Sequence, residues 1–113
     1  MSVGGFMGAI IPAVEERLKA SVLLAGGLTG RGRPEANSIN YVTRVKIPTL
    51  MLNGKYDTYC FLDIGIRPML DLLGTPNEQK RLVLDETDHI PSTNIFIRET
   101  LAWLDKYLGP VKR

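Results

Sequence analysis

The chain has 113 residues, 44% of them hydrophobic, which is typical of one soluble globular domain. Fourteen basic and twelve acidic residues give a formal net charge of +2, too small and too evenly spread to indicate a nucleic-acid-binding surface. No apolar run reaches the roughly 18 residues of a membrane span, and the N-terminus lacks the basic region of a secretory signal, so we expect a cytoplasmic location.

The chain contains one cysteine, Cys60, and one histidine, His89. A single cysteine excludes an internal disulfide, and neither residue has the companions that a zinc site requires. The sequence has no glycine-rich phosphate loop after its first predicted strand and no acidic cluster for a metal, which disfavours a flavodoxin-like or response-regulator-like binding domain as an alternative. We expect no metal and no cofactor. If the protein is an enzyme, His89 is its only ordinary base at physiological pH.

A serine and two glycines open the chain as Ser2-Val3-Gly4-Gly5. The pattern matches the second part of a nucleophile elbow, G-x-S-x-G, in which a serine lies on a sharp turn before a helix. Glycines would let the backbone pack closely there, and the Val3 amide would point toward an oxyanion at the helix N-terminus. The alternative is that these residues are only a frayed N-terminal cap.

The first helix is predicted from Gly5 to Leu18, with a kink or split near Ile11 because Pro12 lies inside it. Its apolar residues recur at intervals of three and four, which predicts one buried face made of Met7, Ile10, Ile11, Val14 and Leu18. The nearly continuous apolar run from Ala20 to Ala25 predicts a parallel strand that is covered on both sides.

The segment from Gly26 to Pro48 is rich in Gly, Arg, Pro, Asn and Ser and is long for a loop, as lids and binding segments often are. A short helical turn at Ser38 to Thr43 is compatible with it. Arg31 and Arg33 within it are interpreted as solvated charge, with phosphate binding as the alternative. Together with Tyr59, Cys60 and Phe61, this segment is our candidate for the wall of an acyl pocket.

A second buried strand is predicted from Ile47 to Gly54, and Asp57 follows it directly, where open α/β sheets place their functional groups. The helix predicted from Phe61 to Leu73 contains Pro68 and ends at Gly74. The alternative for Asp57 is an ordinary turn aspartate.

The third predicted strand runs from Lys80 to Asp85, and His89 lies in the loop after it. A last helix is predicted from Ser92 or Thr93 to Leu108, with Ile97, Leu101, Leu104 and Leu108 buried. Alternating strands and helices imply one α/β domain over residues 1–113, a three-layer arrangement with a short parallel sheet of about three strands.

Ser2, Asp57 and His89 occur in the order nucleophile, acid, base, and each is predicted at the carboxyl edge of the sheet. In such a triad the serine attacks an acyl carbonyl, the histidine transfers its proton, and the aspartate fixes the imidazole. The alternative for His89 alone is an ordinary loop histidine.

The chain resembles the C-terminal half of bacterial α/β-hydrolases, most closely the esterase-like domains attached to bacterial protein kinases. The segments that carry the resemblance are residues 47–57, Arg67-Pro68, Leu73-Gly74-Thr75-Pro76 and residues 103–110. It implies that Ser2, Asp57 and His89 match the family's triad. The glycine before the elbow serine and the loop that carries the second oxyanion donor do not occur in this chain, and Asp88 stands where the family more often has glycine.

These observations favour a small serine hydrolase that cleaves simple short-chain carboxylic esters. The alternative is a catalytically idle remnant of the fold that associates with itself or with a partner. Because the truncated sheet would leave the edge of its first strand unpaired, we expect a homodimer or larger assembly through that edge or the exposed face of the first helix.

Overall fold

The computed structural model describes residues 1–30 and 32–112, so Arg31 lies outside the described part. Its centre is a parallel three-stranded sheet in the order β1-β2-β3, made of Ser21–Leu24, Thr49–Gly54 and Lys80–Asp85. All six residues of β2 are buried because it lies between the other two strands. The predicted α/β class with a short parallel sheet is confirmed.

The described residues form four α-helices beside the strands, namely α1 (Val3–Phe6), α2 (Ile10–Val14), α3 (Arg67–Leu72) and α4 (Thr93–Leu108). A π-helix, Leu62–Ile66, leads directly into α3, and short 3-10 turns cover Pro34–Ala36, Ser38–Asn40, Val42–Arg44 and Asn77–Gln79. Pro68 is tolerated because it lies in the first turn of α3, where its missing N–H is not needed. Within the described residues, no helix combines the length and apolarity needed to cross a bilayer.

The two faces of the sheet bury separate hydrophobic clusters. Met51 points to the face that is covered by α2, α3 and the segment around Val42, while Leu50 and Leu52 point to the other face and pack against Trp103 of α4. This alternation follows from the period of two along a strand. Helices therefore cover both faces, which gives the predicted three layers.

The first predicted helix is two short helices separated by a turn at residues 7–9. Its predicted buried face is wrong, because Met7, Ile11 and Val14 are exposed. The residue that is fully buried is Ala9, and Phe6 and Ala13 pack beside it against the core. The split changes the direction of the chain after α1, so one helical periodicity cannot describe both segments. The expectation of a split is confirmed, although it lies before Ile11 rather than at it.

The segment from Gly26 to Pro48 is more ordered than its composition indicated. Its 3-10 turns at Ser38–Asn40 and Val42–Arg44 bring Val42 and Val45 into the core, and the Ser38 hydroxyl donates to the Phe6 carbonyl. Residues 38–48 therefore pack against the domain, whereas residues 33–36 are exposed. Residues 28–30 line a cleft with residues 59–61.

The predicted bounds of α4 are confirmed, but the predicted buried face is not. Ile97, Leu101 and Leu108 are exposed, whereas Trp103 is buried with Phe96 and Tyr107 beside it. The predicted aliphatic residues and the three aromatic residues both recur at helical spacing. The aromatic residues face the core because burying their larger side chains removes more apolar area from water.

Candidate active site

Ser2 lies on a strained turn between the sheet and α1. Its backbone angles are φ 52° and ψ −113°, in the left-handed region that side chains other than glycine rarely adopt. Its N–H donates to the Leu24 carbonyl at 2.9 Å, and its carbonyl accepts from the Phe6 N–H at 2.9 Å. A strained backbone conformation of this kind costs about 1–3 kcal/mol. The two hydrogen bonds help to keep Ser2 in this conformation.

Two glycines let the turn of Ser2 approach the end of β1. A Cβ added to Gly5 would lie 2.8 Å from the Gly26 Cα, and one added to Gly26 would lie 2.5 Å from the Gly5 carbonyl oxygen. The sequence had indicated close packing at Gly5 but not its partner Gly26. A Cβ on Gly4, by contrast, would meet nothing within 4 Å, so Gly4 has no such packing role.

Asp57 follows the end of β2, and its side chain is fully buried. One carboxylate oxygen, Oδ1, accepts hydrogen bonds from the backbone N–H groups of Tyr59 and Cys60 at 2.7 and 3.0 Å. These bonds fix the carboxylate plane, as in an Asx turn. They leave the second oxygen, Oδ2, for a partner from another loop.

That partner is His89, in the loop after β3. Its Nδ1 lies 2.8 Å from Asp57 Oδ2, and its Nε2 lies 2.8 Å from Ser2 Oγ. The imidazole packs against Tyr59 with ring centroids 4.8 Å apart and against Phe6 at 6.0 Å, which leaves 15% of the side chain exposed. The neighbouring Asp88 is exposed, and the carboxylate bonded to the ring is that of Asp57.

The structure therefore brings together the three residues that the sequence analysis singled out, over separations of 87 and 32 residues. An ionised carboxylate can only accept, so Nδ1 of His89 donates to Asp57. In the neutral imidazole, Nε2 is then an acceptor for the Ser2 hydroxyl. The arrangement can take the hydroxyl proton onto the imidazole and leave the oxygen as a nucleophile.

The loop of His89 is placed by a glycine at the end of β2. A Cβ on Gly54 would lie 1.3 Å from the Asp88 carbonyl oxygen, so the backbone of residue 88 occupies the space of that missing side chain. This contact was not predicted from the sequence. Its only signal was a glycine at the end of a buried strand, which is also typical of a simple turn.

Val3, the predicted oxyanion donor, is the first residue of α1. Among the described residues its N–H has no hydrogen-bond acceptor, as expected for the first turn of a helix. This N–H follows Ser2 in the chain and is available to donate to another acceptor.

Tyr59, Cys60 and Phe61, the predicted substrate-binding residues, line a cleft of about 230 Å³ with residues 28–30 and 64–65. Tyr59 and Phe61 are exposed, while Cys60 lies at the buried end. Burial, and secondarily the charge of Asp57, raise the pKa of the Cys60 thiol to about 11. Cys60 therefore stays a neutral thiol and does not compete with Ser2 as a nucleophile.

No three His, Cys, Asp or Glu side chains come together as possible metal ligands in the part of the chain that the structure describes.

Comparison with solved structures shows the fold of α/β-hydrolases. A cold-adapted esterase from an Arctic intertidal metagenomic library is 25% identical and matches over 95% of this chain and 46% of its own, with a TM-score of 0.73. An esterase of Pyrococcus furiosus is 14% identical over 96% of this chain and 53% of its own, with a TM-score of 0.78. A Klebsiella pneumoniae protein assigned as a dienelactone hydrolase is 22% identical over 91% and 48%, with a TM-score of 0.74.

The chain thus spans about half the length of the structures it matches. No family model matches the sequence. No curated protein matches it significantly either. At these identities the likeness establishes the fold, and the chemistry has to be argued from the residues of this chain.

Replacing Gly54 with alanine is expected to displace the loop of His89. The added methyl would overlap the Asp88 carbonyl, so we expect a loss of at least about 1–3 kcal/mol in the free energy of unfolding. The downfield NMR signal of the Nδ1 proton shared by His89 and Asp57 should also disappear. Gly4→Ala is the matched control, since its methyl enters open space; it should keep the signal and unfold at an unchanged or slightly higher urea concentration. A Gly54→Ala protein with the wild-type signal would contradict this role.

Proposed function

We propose that this chain is a serine hydrolase that cleaves simple carboxylic esters with short acyl chains. The observation that supports the proposal best is the continuous hydrogen-bonded path from Ser2 Oγ through His89 to Asp57 Oδ2, with 2.8 Å at each step. The strain at Ser2 also favours a functional role, because strained backbone is retained where the surrounding structure and the chemistry require it.

In the proposed reaction, Ser2 Oγ attacks the ester carbonyl while His89 Nε2 takes the hydroxyl proton. The carbonyl oxygen becomes an oxyanion beside the Val3 N–H. When the tetrahedral intermediate collapses, the ester C–O bond breaks and the imidazolium gives its proton to the departing alcohol. Water then attacks the acyl-enzyme, His89 takes its proton, and the acid leaves with Ser2 restored. Asp57 keeps Nδ1 protonated and stabilises the imidazolium.

The Val3 N–H is one oxyanion donor, and such sites commonly use two. Loss of one donor costs on the order of 10²–10³ in rate, so we expect slow turnover unless a second donor comes from elsewhere. This expectation accords with the proposal that the chain corresponds to the C-terminal half of an α/β-hydrolase, whose other half carries that donor. The resemblance to domains attached to protein kinases remains a prediction from the sequence. The cytoplasmic location is likewise a prediction.

Hydrolysis of p-nitrophenyl acetate tests the proposal. Ser2→Ala and His89→Ala should each lower kcat at least about 10²-fold, because removing either member of the pair removes the activated nucleophile. Ser92→Ala replaces an exposed serine before α4 and should leave the rate unchanged. Equal rates in the wild type and in both site variants would instead support an idle remnant of the fold.

We also propose that the protein self-associates. Val3, Met7, Ile11 and Val14 of α1, α2 and the turn between them are 47–66% exposed, an unusual density of apolar side chains for one short segment. Nearby, the outer edge of β1 presents the backbone of Val22, since residues 21 and 25 bond toward β2. A second copy could cover either surface.

Light scattering coupled to size exclusion should therefore give at least twice the monomer mass. Ile11→Lys places a charge within the apolar segment and should shift the population toward monomer if that segment forms the interface. Ile39→Lys, a change at an isoleucine of similar exposure in the Ser38–Asn40 turn, is the control. A wild-type protein that stays monomeric at high concentration would rule out self-association.

A further inference from the structure

Among the described residues, two residues other than glycine have a backbone with positive φ, and one hydrogen bond connects them. They are Ser2, with φ 52°, and Ala25, with φ 53°. Ala25 is fully buried and directly follows Leu24, whose carbonyl accepts the N–H of Ser2 at 2.9 Å. The Leu24 carbonyl lies in the peptide plane that ends at Ala25, so the position of Ser2 depends on the turn that the chain makes there.

The turn at Ala25 also ends the pairing of β1 with β2. The register pairs Leu24 with Leu52, and the Ala25 N–H still donates to the Leu52 carbonyl at 2.8 Å. The next residue of β2, Asn53, has no backbone partner in β1. Its side chain takes over instead, because Nδ2 donates to the Gly26 carbonyl at 2.8 Å. The amide of Asn53 therefore ties the central strand to the segment just after the turn.

Gly26 is in turn the residue against which the helix of the nucleophile packs. A Cβ on Gly26 would lie 2.5 Å from the carbonyl oxygen of Gly5, which is in α1 three residues after Ser2. The segment held by Asn53 thus contacts the chain both at Ser2, through Leu24, and at Gly5. We propose that Asn53 is a positioning residue that keeps Ser2 in place through this segment, an inference that deepens the proposed function and whose kinetic part rests on it.

Stability alone does not explain an amide at this position. Asn53 is fully buried, and it lies two residues after Met51, so both side chains extend from the same face of β2. Its Oδ1 has no donor among the residues that the structure describes. A buried polar atom without a partner costs stability, and an apolar side chain of similar size would avoid that cost. The amide is explained by the Gly26 carbonyl that it holds.

Asn53→Asp tests the positioning role by NMR. It keeps the shape of the side chain but replaces the N–H donor with a second acceptor, which repels the Gly26 carbonyl. We expect the Ser2 Cα and Cβ signals, which report the backbone angles, to move toward those of a serine with negative φ. The signals of β3 and α4 should stay in place, because a variant that is merely less stable keeps native signals in its folded fraction.

The matched control is Asn40→Asp, which makes the same change at an exposed amide that donates to the Pro34 carbonyl at 2.6 Å; it should leave the Ser2 signals unchanged. If Asn53→Asp does not fold, Asn53→Ala removes the donor without adding a charge and should give the same Ser2 change. Unchanged Ser2 signals in a folded Asn53 variant, or changes spread equally over β3 and α4, would overturn the inference. Failure of both variants to fold would assign Asn53 a purely structural role and overturn it as well.

Kinetics with p-nitrophenyl acetate separate this inference from the proposed reaction. Asn53→Asp should lower kcat at least about tenfold with KM within about twofold, since misplacing a reacting group by about 1 Å can cost on the order of 10²-fold. Asn40→Asp should change neither constant. Ser2-dependent hydrolysis with an unchanged kcat in Asn53→Asp would overturn the positioning role and leave the reaction standing. Changed Ser2 signals in a protein that hydrolyses no ester would support the positioning role while the proposed function failed.

Discussion

Parallel pairing of the central strand with both neighbours is the constraint on which the rest of the structure depends. β2 is in register with β1 through Leu24 and Leu52 and with β3 through Gly54 and Asp85. Because all three strands point the same way, the segments that follow them leave from one edge of the sheet. Residues 57 and 89 meet there, and Ser2 joins them because its N–H binds the end of β1 at Leu24.

Two glycines allow Ser2, Asp57 and His89 to come close enough to form hydrogen bonds. Gly26 admits the turn of Ser2, and Gly54 admits the backbone before His89. Neither residue is one of the three hydrogen-bonded residues, yet a methyl group at either position would collide with backbone, which cannot move away by changing a side-chain rotamer. The positions of the hydroxyl and the imidazole therefore depend on glycine packing below them as much as on the bonds between them.

Much of this arrangement could be predicted from the sequence. The bounds of β3 and the positions of Asp57 and His89 follow from short apolar runs with polar residues just after them. Ser2 was predicted from the serine and two glycines that open the chain, and the bounds of α4 from its helical spacing and the Gly109-Pro110 that ends it. The buried faces of the first helix and of α4 could not be predicted, because both segments carry apolar residues at more than one helical spacing and only tertiary contacts choose between them. The glycine contacts were equally hidden, since they join residues 21 and 34 positions apart.

In the proposed reaction Ser2 is an activated nucleophile because its hydroxyl is hydrogen-bonded to His89, which is in turn hydrogen-bonded to Asp57. A fluorophosphonate forms a covalent bond with activated serines, so mass spectrometry after treatment with this reagent reports the reactivity of Ser2. We expect one label per chain, on Ser2, and its loss in His89→Gln. A folded protein that stays unlabelled, or one that is labelled equally with and without His89, would show that the proposed role of Ser2 is wrong.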